Sequence, residues 1–135
     1  MSARELAPGL APGLVGEIET VVTAADLASA LGSGDVAVLG TPRMIALAEA
    51  ATVAALAGAL DEGRTSVGTR VDMRHLAATP EGRAVRARAE LVSVEGKALA
   101  FAVEVHDACG LVADGRVERV IVDRARFQER AAQAR

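Results

Sequence analysis

Three residues stand out for chemistry: Thr41, Glu49 and His75. Glu49 interrupts TPRMIALAEAATVAALAGAL (41–60), a stretch made almost entirely of alanine and aliphatic residues. A helix apolar on every face has to be buried, and burying an ionised carboxylate without a partner costs roughly several kcal/mol. Glu49 therefore has either a partner or a task. His75 closes an alternating stretch in which Val67, Thr69, Val71, Met73 and His75 share one face, opposite Ser66, Arg70, Asp72 and Arg74. If the first face meets the helix, a carboxylate and an imidazole share one apolar cleft. Such a pair moves protons near neutral pH, because burial disfavours an ionised carboxyl while a neighbouring carboxylate favours an imidazolium. Thr41 reads as the helix N-cap, where its hydroxyl stands beside free backbone N–H groups and the positive end of the helix dipole, a place to polarise a carbonyl or bind an anion. Thr41 and Glu49 are eight residues apart, about 12 Å along an ideal helix. A bound substrate, His75, a late helix start or a second subunit has to bridge them. Each residue also has a plainer reading: Glu49 paired with an arginine across a dimer interface, His75 structural, Thr41 a simple cap.

The elements that must position these groups follow from periodicity and turn chemistry. Residues 1–16 read as a loose N-terminal tail and 17–135 as one domain. A short strand is expected at 17–23, then a helical turn from Ala24 to the Gly32-Ser33-Gly34 break. The long helix starts at Thr41, with Pro42 at its first position, and closes at Gly63. Strands are expected at 65–76, 83–94, 97–108 and 116–123, with turns at Glu95-Gly96 and Asp114-Gly115, before a short arginine-rich helix from Arg124. The class is α+β: a curved antiparallel β-sheet wrapped around one long central α-helix. The open sheet edge and the very apolar helix point to a homodimer.

Composition narrows the function. With 135 residues, 51% hydrophobic and 24% charged, the chain is long enough to bury a real core. The net charge is −3 and the arginines are scattered among acids, so no nucleic-acid surface is expected. The single cysteine, Cys109, excludes an internal disulfide, and two histidines without local partners give no metal site. No glycine-rich phosphate loop is present. Proline and glycine interrupt any signal-peptide core near the N-terminus, and 44–60 is short, alanine-rich and carries Glu49, so neither secretion nor a membrane span is expected and a reducing cytoplasm is the default. Phe101 and Phe127 are the only aromatic residues, so a pocket would be aliphatic. His106 and Asp107 are neighbours on a strand and point to opposite faces.

TPRMIALAE, EGRTSVGTRVDMRHLAATPEG and RVERVIVD together resemble the fluoroacetyl-CoA thioesterase-like family of hotdog-fold proteins, from about Val36 to Phe127. The Thr, Glu and His stand in matching order, eight residues and then twenty-six apart. The resemblance implies a hotdog dimer that hydrolyses a small or medium acyl-CoA thioester to free acid and coenzyme A. Thr41, Glu49 and His75 would form the catalytic group at the dimer interface, with Gly68 and Arg119 lining or approaching it. Coenzyme A would be part of the substrate, with no separate cofactor, and an acyl carrier protein is the other possible acyl donor. Glu49 would activate a water or attack the carbonyl to form a mixed anhydride; both routes stay open. The chain departs from fluoroacetyl-specific members, which carry phenylalanines ahead of the helix as a hydrophobic lid. Here ALGSGDVAVLG (30–40) has no aromatic residue, implying a less selective pocket or a lid of Leu31, Val36 and Val38. The alternative is a non-catalytic hotdog module that holds an acyl-CoA or carrier-bound acyl group. Enoyl-CoA hydration is disfavoured, since Asp107 has no histidine five residues on.

Overall fold

In the computed structural model, which describes residues 9–133, strand β1 (Val15–Val21) is followed by a 3-10 turn (Ala24–Asp26), the short helix α1 (Ala28–Leu31) and the long helix α2 (Thr41–Ala55). Four strands follow, β2 (Arg64–His75), β3 (Ala84–Glu95), β4 (Ala98–Asp107) and β5 (Gly110–Asp123), and then helix α3 (Arg124–Ala131). The strands form one antiparallel sheet in the order β1-β3-β4-β5-β2, which leaves β1 and β2 at the edges. Register shifts in the β2–β5, β3–β4 and β4–β5 pairs mark irregularities that bend strands. The sheet wraps around α2 in the hotdog arrangement expected.

Helix α2 buries Met44, Leu47, Ala48, Ala51, Thr52 and Ala55, the rows of a single helical face. These pack with Leu91, Phe101, Val103, Val117 and Ile121 in the core. The alanines bring the helix backbone down onto the sheet: a Cβ at Gly16 of β1 would collide with the backbone of Ala51, Ala54 and Ala55. The helix is not buried all round, since Val53 is 53% exposed.

Several expected boundaries shift. Gly40, not Thr41, is the N-cap, with no side-chain capping bond, and Thr41 is the first helical residue. Glycine fits closely there: a Cβ would lie 2.9 Å from Leu31 Cδ1, the far end of a flexible side chain, and 3.1 Å from Ala28 Cα. The Gly40 N–H donates to the Asp26 carbonyl, and the Arg43 guanidinium donates to the Asp26 carboxylate at 2.9 Å, tying the first turn of α2 to the preceding turn. The helix stops at Ala55 instead of running to Gly63. Gly58 turns the chain in the left-handed region at φ 76°, and Leu56 and Ala59 are buried outside the helix.

Asp114-Gly115 is not a turn. Gly115 lies within β5, and its missing Cβ leaves room for the β2 backbone at Asp72 and Met73. The β4–β5 turn is instead at Ala108-Cys109. Of the expected tail, residues 1–8 lie outside the described residues. Residues 9–16 are not loose: Leu10 is buried, Gly13 N–H donates to the Leu91 carbonyl, and Leu91 N–H donates to that of Leu14. Among the described residues, no helix is long and apolar enough to cross a membrane.

Candidate active site

The register of β2 against β5 decides which residues face α2. His75 pairs with Ala113, Met73 with Gly115 and Val71 with Val117; then the register shifts, and Gly68 pairs with Arg119 and Ser66 with Ile121. Ala113, Val117, Arg119 and Ile121 are buried residues of one face of β5, the face toward the helix, and directly paired residues share a face. Ser66 and Gly68 therefore face the helix with His75. Uninterrupted alternation instead put Val67 and Thr69 on that face and Ser66 on the other. The difference is a β-bulge: Thr69 is an extra residue without a partner, and beyond it the parity reverses.

Glu49 has a partner. Arg119, with 8% of its side chain exposed, lies 3.4 Å from Glu49 Oε2 through Nη1. The guanidinium is anchored from behind by Nε donating to Ser66 Oγ at 2.8 Å and Nη2 donating to the Ser66 carbonyl at 3.0 Å. Nη1 also reaches the Thr52 hydroxyl at 3.5 Å, and that hydroxyl donates to the Glu49 carbonyl at 2.6 Å. Burial pushes the Arg119 guanidinium below its ordinary value, and the adjacent Glu49 charge opposes that shift. The Glu49 side chain itself is 38% exposed, so the carboxylate is held on one side and open on the other. It rests against Gly68, where a Cβ would collide with Oε2.

Thr41 and His75 form a second group. Thr41 Oγ1 lies 2.8 Å from His75 Nδ1, and the tautomer of the ring sets which of them donates. Freed from capping, the hydroxyl is available for this bond. His75 Nε2 is buried without a hydrogen-bond partner. Burial holds the imidazole below its ordinary value of 6.5, with the Ala77 backbone pulling the other way, which favours the neutral ring.

The structure brings Thr41 to His75, and Glu49 to Gly68 and Arg119. No hydrogen bond links the two groups, which are set apart by two turns of α2. Next to Thr41 and His75 is a cavity of about 300 Å³, to whose walls Val36, Val38, Leu39 and Leu76 contribute. Leu31 does not line it; half exposed, Leu31 packs beside Gly40 instead. Arg119, expected to approach substrate, directs its donors to Ser66, Thr52 and Glu49. Ser66 and Thr52 were missed in the sequence, although Thr52 falls in the buried row of α2 and stands three residues after Glu49.

Other polar clusters serve the framework. Asp107 accepts from Thr79 Oγ1, Arg83 Nη1 and the Cys109 N–H, and the backbone and side-chain bonds hold its carboxyl below the usual range although burial works against them. Cys109 is exposed. A larger groove of about 580 Å³ lies on the outer sheet face among Asp72, Arg74, Glu104 and Arg116, where Arg74 pairs with Asp114 at 3.0 Å. Among the described residues, no three His, Cys, Asp or Glu side chains are grouped to hold a metal.

Comparison with known proteins supplies a chemical context. Residues 22–125 match the sequence family described as fluoroacetyl-CoA-specific thioesterase. The chain is 38% identical over 96 residues to the fluoroacetyl-CoA thioesterase of Streptantibioticus cattleyicolor, a match covering 71% of this chain and 69% of that protein. A solved structure of a fluoroacetyl-CoA thioesterase superposes with a TM-score of 0.86 at 33% identity, covering 94% of this chain and 98% of the other. A hypothetical thioesterase superfamily member of Thermus thermophilus superposes at 0.85 with 30% identity, covering 92% of each chain.

Proposed function

Because the chain belongs to the fluoroacetyl-CoA-specific thioesterase family, a family of thioester hydrolases, we propose that it hydrolyses an acyl-CoA thioester to the free acid and coenzyme A. The observation that carries this reading is a half-exposed carboxylate, Glu49, held against Gly68 by a buried arginine, on the sheet face that also presents the Thr41–His75 pair.

In this reading the thioester lies along α2 between the two groups. Thioesters lack the resonance protection of amides, so a carboxylate suffices to start the reaction. Glu49 takes a proton from a water that attacks the carbonyl, or attacks it directly to give a mixed anhydride that water then opens. The C–S bond breaks, the sulfur leaves as thiolate, and the proton removed from water returns to it, giving acid and thiol. Backbone N–H groups at the start of α2 and at the Thr69 bulge are the donors proposed for the carbonyl oxygen. The Thr41 hydroxyl orients the acyl group, and His75 relays protons near the leaving sulfur.

The working unit in this reading is a homodimer with the site at its interface. Strand β2 is a sheet edge of twelve residues, Val71 on it is 36% exposed, and the α2 face around Val53 and Glu49 is uncovered. Val71→Lys should then sediment as a monomer with reduced turnover; a fully active wild-type monomer would contradict the interface. The cytoplasm is the proposed location, and coenzyme A or an acyl carrier protein the proposed acyl donor.

The deciding experiment is release of free thiol from acyl-CoA substrates by the wild-type chain and by Glu49→Gln. Loss of a general base costs roughly 10²–10⁴-fold, so Glu49→Gln should lose at least about 10²-fold in kcat while keeping its melting temperature. Undiminished turnover in Glu49→Gln would sink the assignment. Binding of acyl-CoA without thiol release would point to a non-catalytic acyl-binding module.

A further inference from the structure

We propose that the cavity beside Thr41 and His75 receives the acyl group, and that it selects unfunctionalised aliphatic acyl groups of four carbons or more, branched ones included, over acetyl, fluoroacetyl and dicarboxylic acyl groups. This rests on the thioesterase reading and adds the substrate class to it.

The first argument is the chemistry of the walls. Val36, Val38, Leu39, Leu76, Ala77 and Ala78 are apolar, and no charged residue lines the cavity. A second carboxylate on the acyl chain would lose its water there without gaining a cation, which disfavours succinyl groups strongly. The polar side chains present, Thr41, His75 and Ser33, include the two already assigned to the thioester end.

The second argument is size. The cavity holds about 300 Å³, against a share of about 30 Å³ for a water molecule in the liquid. A two-carbon acyl group leaves most of that space without contacts, and a fluorine in place of one hydrogen changes this little. Each methylene buried against the aliphatic wall improves transition-state binding by about fourfold.

The third argument is the mouth. Val36 is 56% exposed and Leu76 is 50% exposed, and both line this cavity. Large apolar side chains left in water around an apolar opening gain when an aliphatic chain covers them. The alanines at positions 28, 77 and 78 add no bulk to the walls, which leaves width for a methyl branch.

The test is kcat/KM for thiol release from acetyl-, fluoroacetyl-, propionyl-, butyryl-, isobutyryl-, isovaleryl- and succinyl-CoA. The wild-type value should climb about fourfold per added carbon to isovaleryl, with succinyl at least about tenfold below butyryl. Val36→Phe, at an exposed position that tolerates bulk, should cut the isovaleryl-to-acetyl ratio at least about tenfold by filling the mouth. Ala78→Leu, on the other segment that lines the cavity, should do the same and serves if the first variant loses all activity. A best substrate of acetyl, fluoroacetyl or succinyl type overturns the inference and leaves the thioesterase reading standing, as does an unchanged ratio in both variants. Absence of thiol release from every substrate removes the thioesterase reading itself, and this refinement with it.

Discussion

The Thr41 hydroxyl lies 2.8 Å from His75 Nδ1, joining the first residue of α2 to the last residue of β2 across 34 positions of sequence. The contact exists because Gly40 takes the capping position and leaves the threonine side chain free. Thr41→Val removes it and leaves the ring without a side-chain hydrogen-bond partner. Turnover should fall by about 10²-fold while stability changes by only about 1 kcal/mol, since the bond is exposed. Thr41→Ser keeps the hydroxyl and should recover most of the activity. Equal losses in the two variants, measured by thiol release and thermal melting, would refute a role for the bond.

The pH dependence of His75 follows from its burial, which lowers its pKa from 6.5. As pH falls through the ordinary histidine value, the unfolded chain binds a proton before the native one does. Stability therefore declines from about pH 6.5 down to the native pKa of His75 and levels off below it. His75→Gln should lack this part of the decline. An NMR titration, assigned with the help of His106→Asn, should place the His75 midpoint below the ordinary value of 6.5; a midpoint above it would contradict the burial argument.

Gly68 tests the carboxylate end. A Cβ there would collide with Glu49 Oε2, the far end of a flexible side chain, with Arg119 Nη1 next at 3.6 Å. Gly68→Ala should fold, with the carboxylate displaced by about 1 Å, and such a misplacement costs on the order of 10²-fold in rate. A melting temperature near wild type combined with that loss is the expected pattern. Unchanged kinetics would mean that the position of Glu49 is not critical.

Gly16 should behave in the opposite way. A Cβ on it meets only helix backbone, which cannot swing aside. Gly16→Ala should cost more than the roughly 1–3 kcal/mol of ordinary overpacking, read by urea denaturation, because α2 has to lift from β1. A stable Gly16→Ala protein would show that the helix and sheet can slide.

Much of this was legible from spacing alone. The long helix and the run of strands follow from periodicity, a local signal, whereas the place of β2 beside β5, outside the β3-β4-β5 meander, does not. What stayed hidden depends on contacts distant in sequence. The Thr69 bulge looks like ordinary alternation until β5 is laid against β2. The tight fit at Gly40 comes from Leu31 and Ala28, and the need for glycine at 115 from Asp72 and Met73. The clamp on Glu49 joins residues 53 and 70 positions from Arg119, a separation that no local pattern encodes. Helix termination at Ala55 was missed because Leu56 and Ala59 remain buried after the helix ends, so the apolar run outlasts the element.

Strand β2 is one residue longer than its face pattern needs. Without Thr69, plain alternation would still set Ser66, Gly68, Val71, Met73 and His75 on one side, so the extra residue is not what gathers the site. What it adds is curvature and a spare peptide unit beside Gly68, outside the pairing of the ladder. In the reaction proposed above, that peptide unit is the slack an incoming carbonyl would take up beside Glu49.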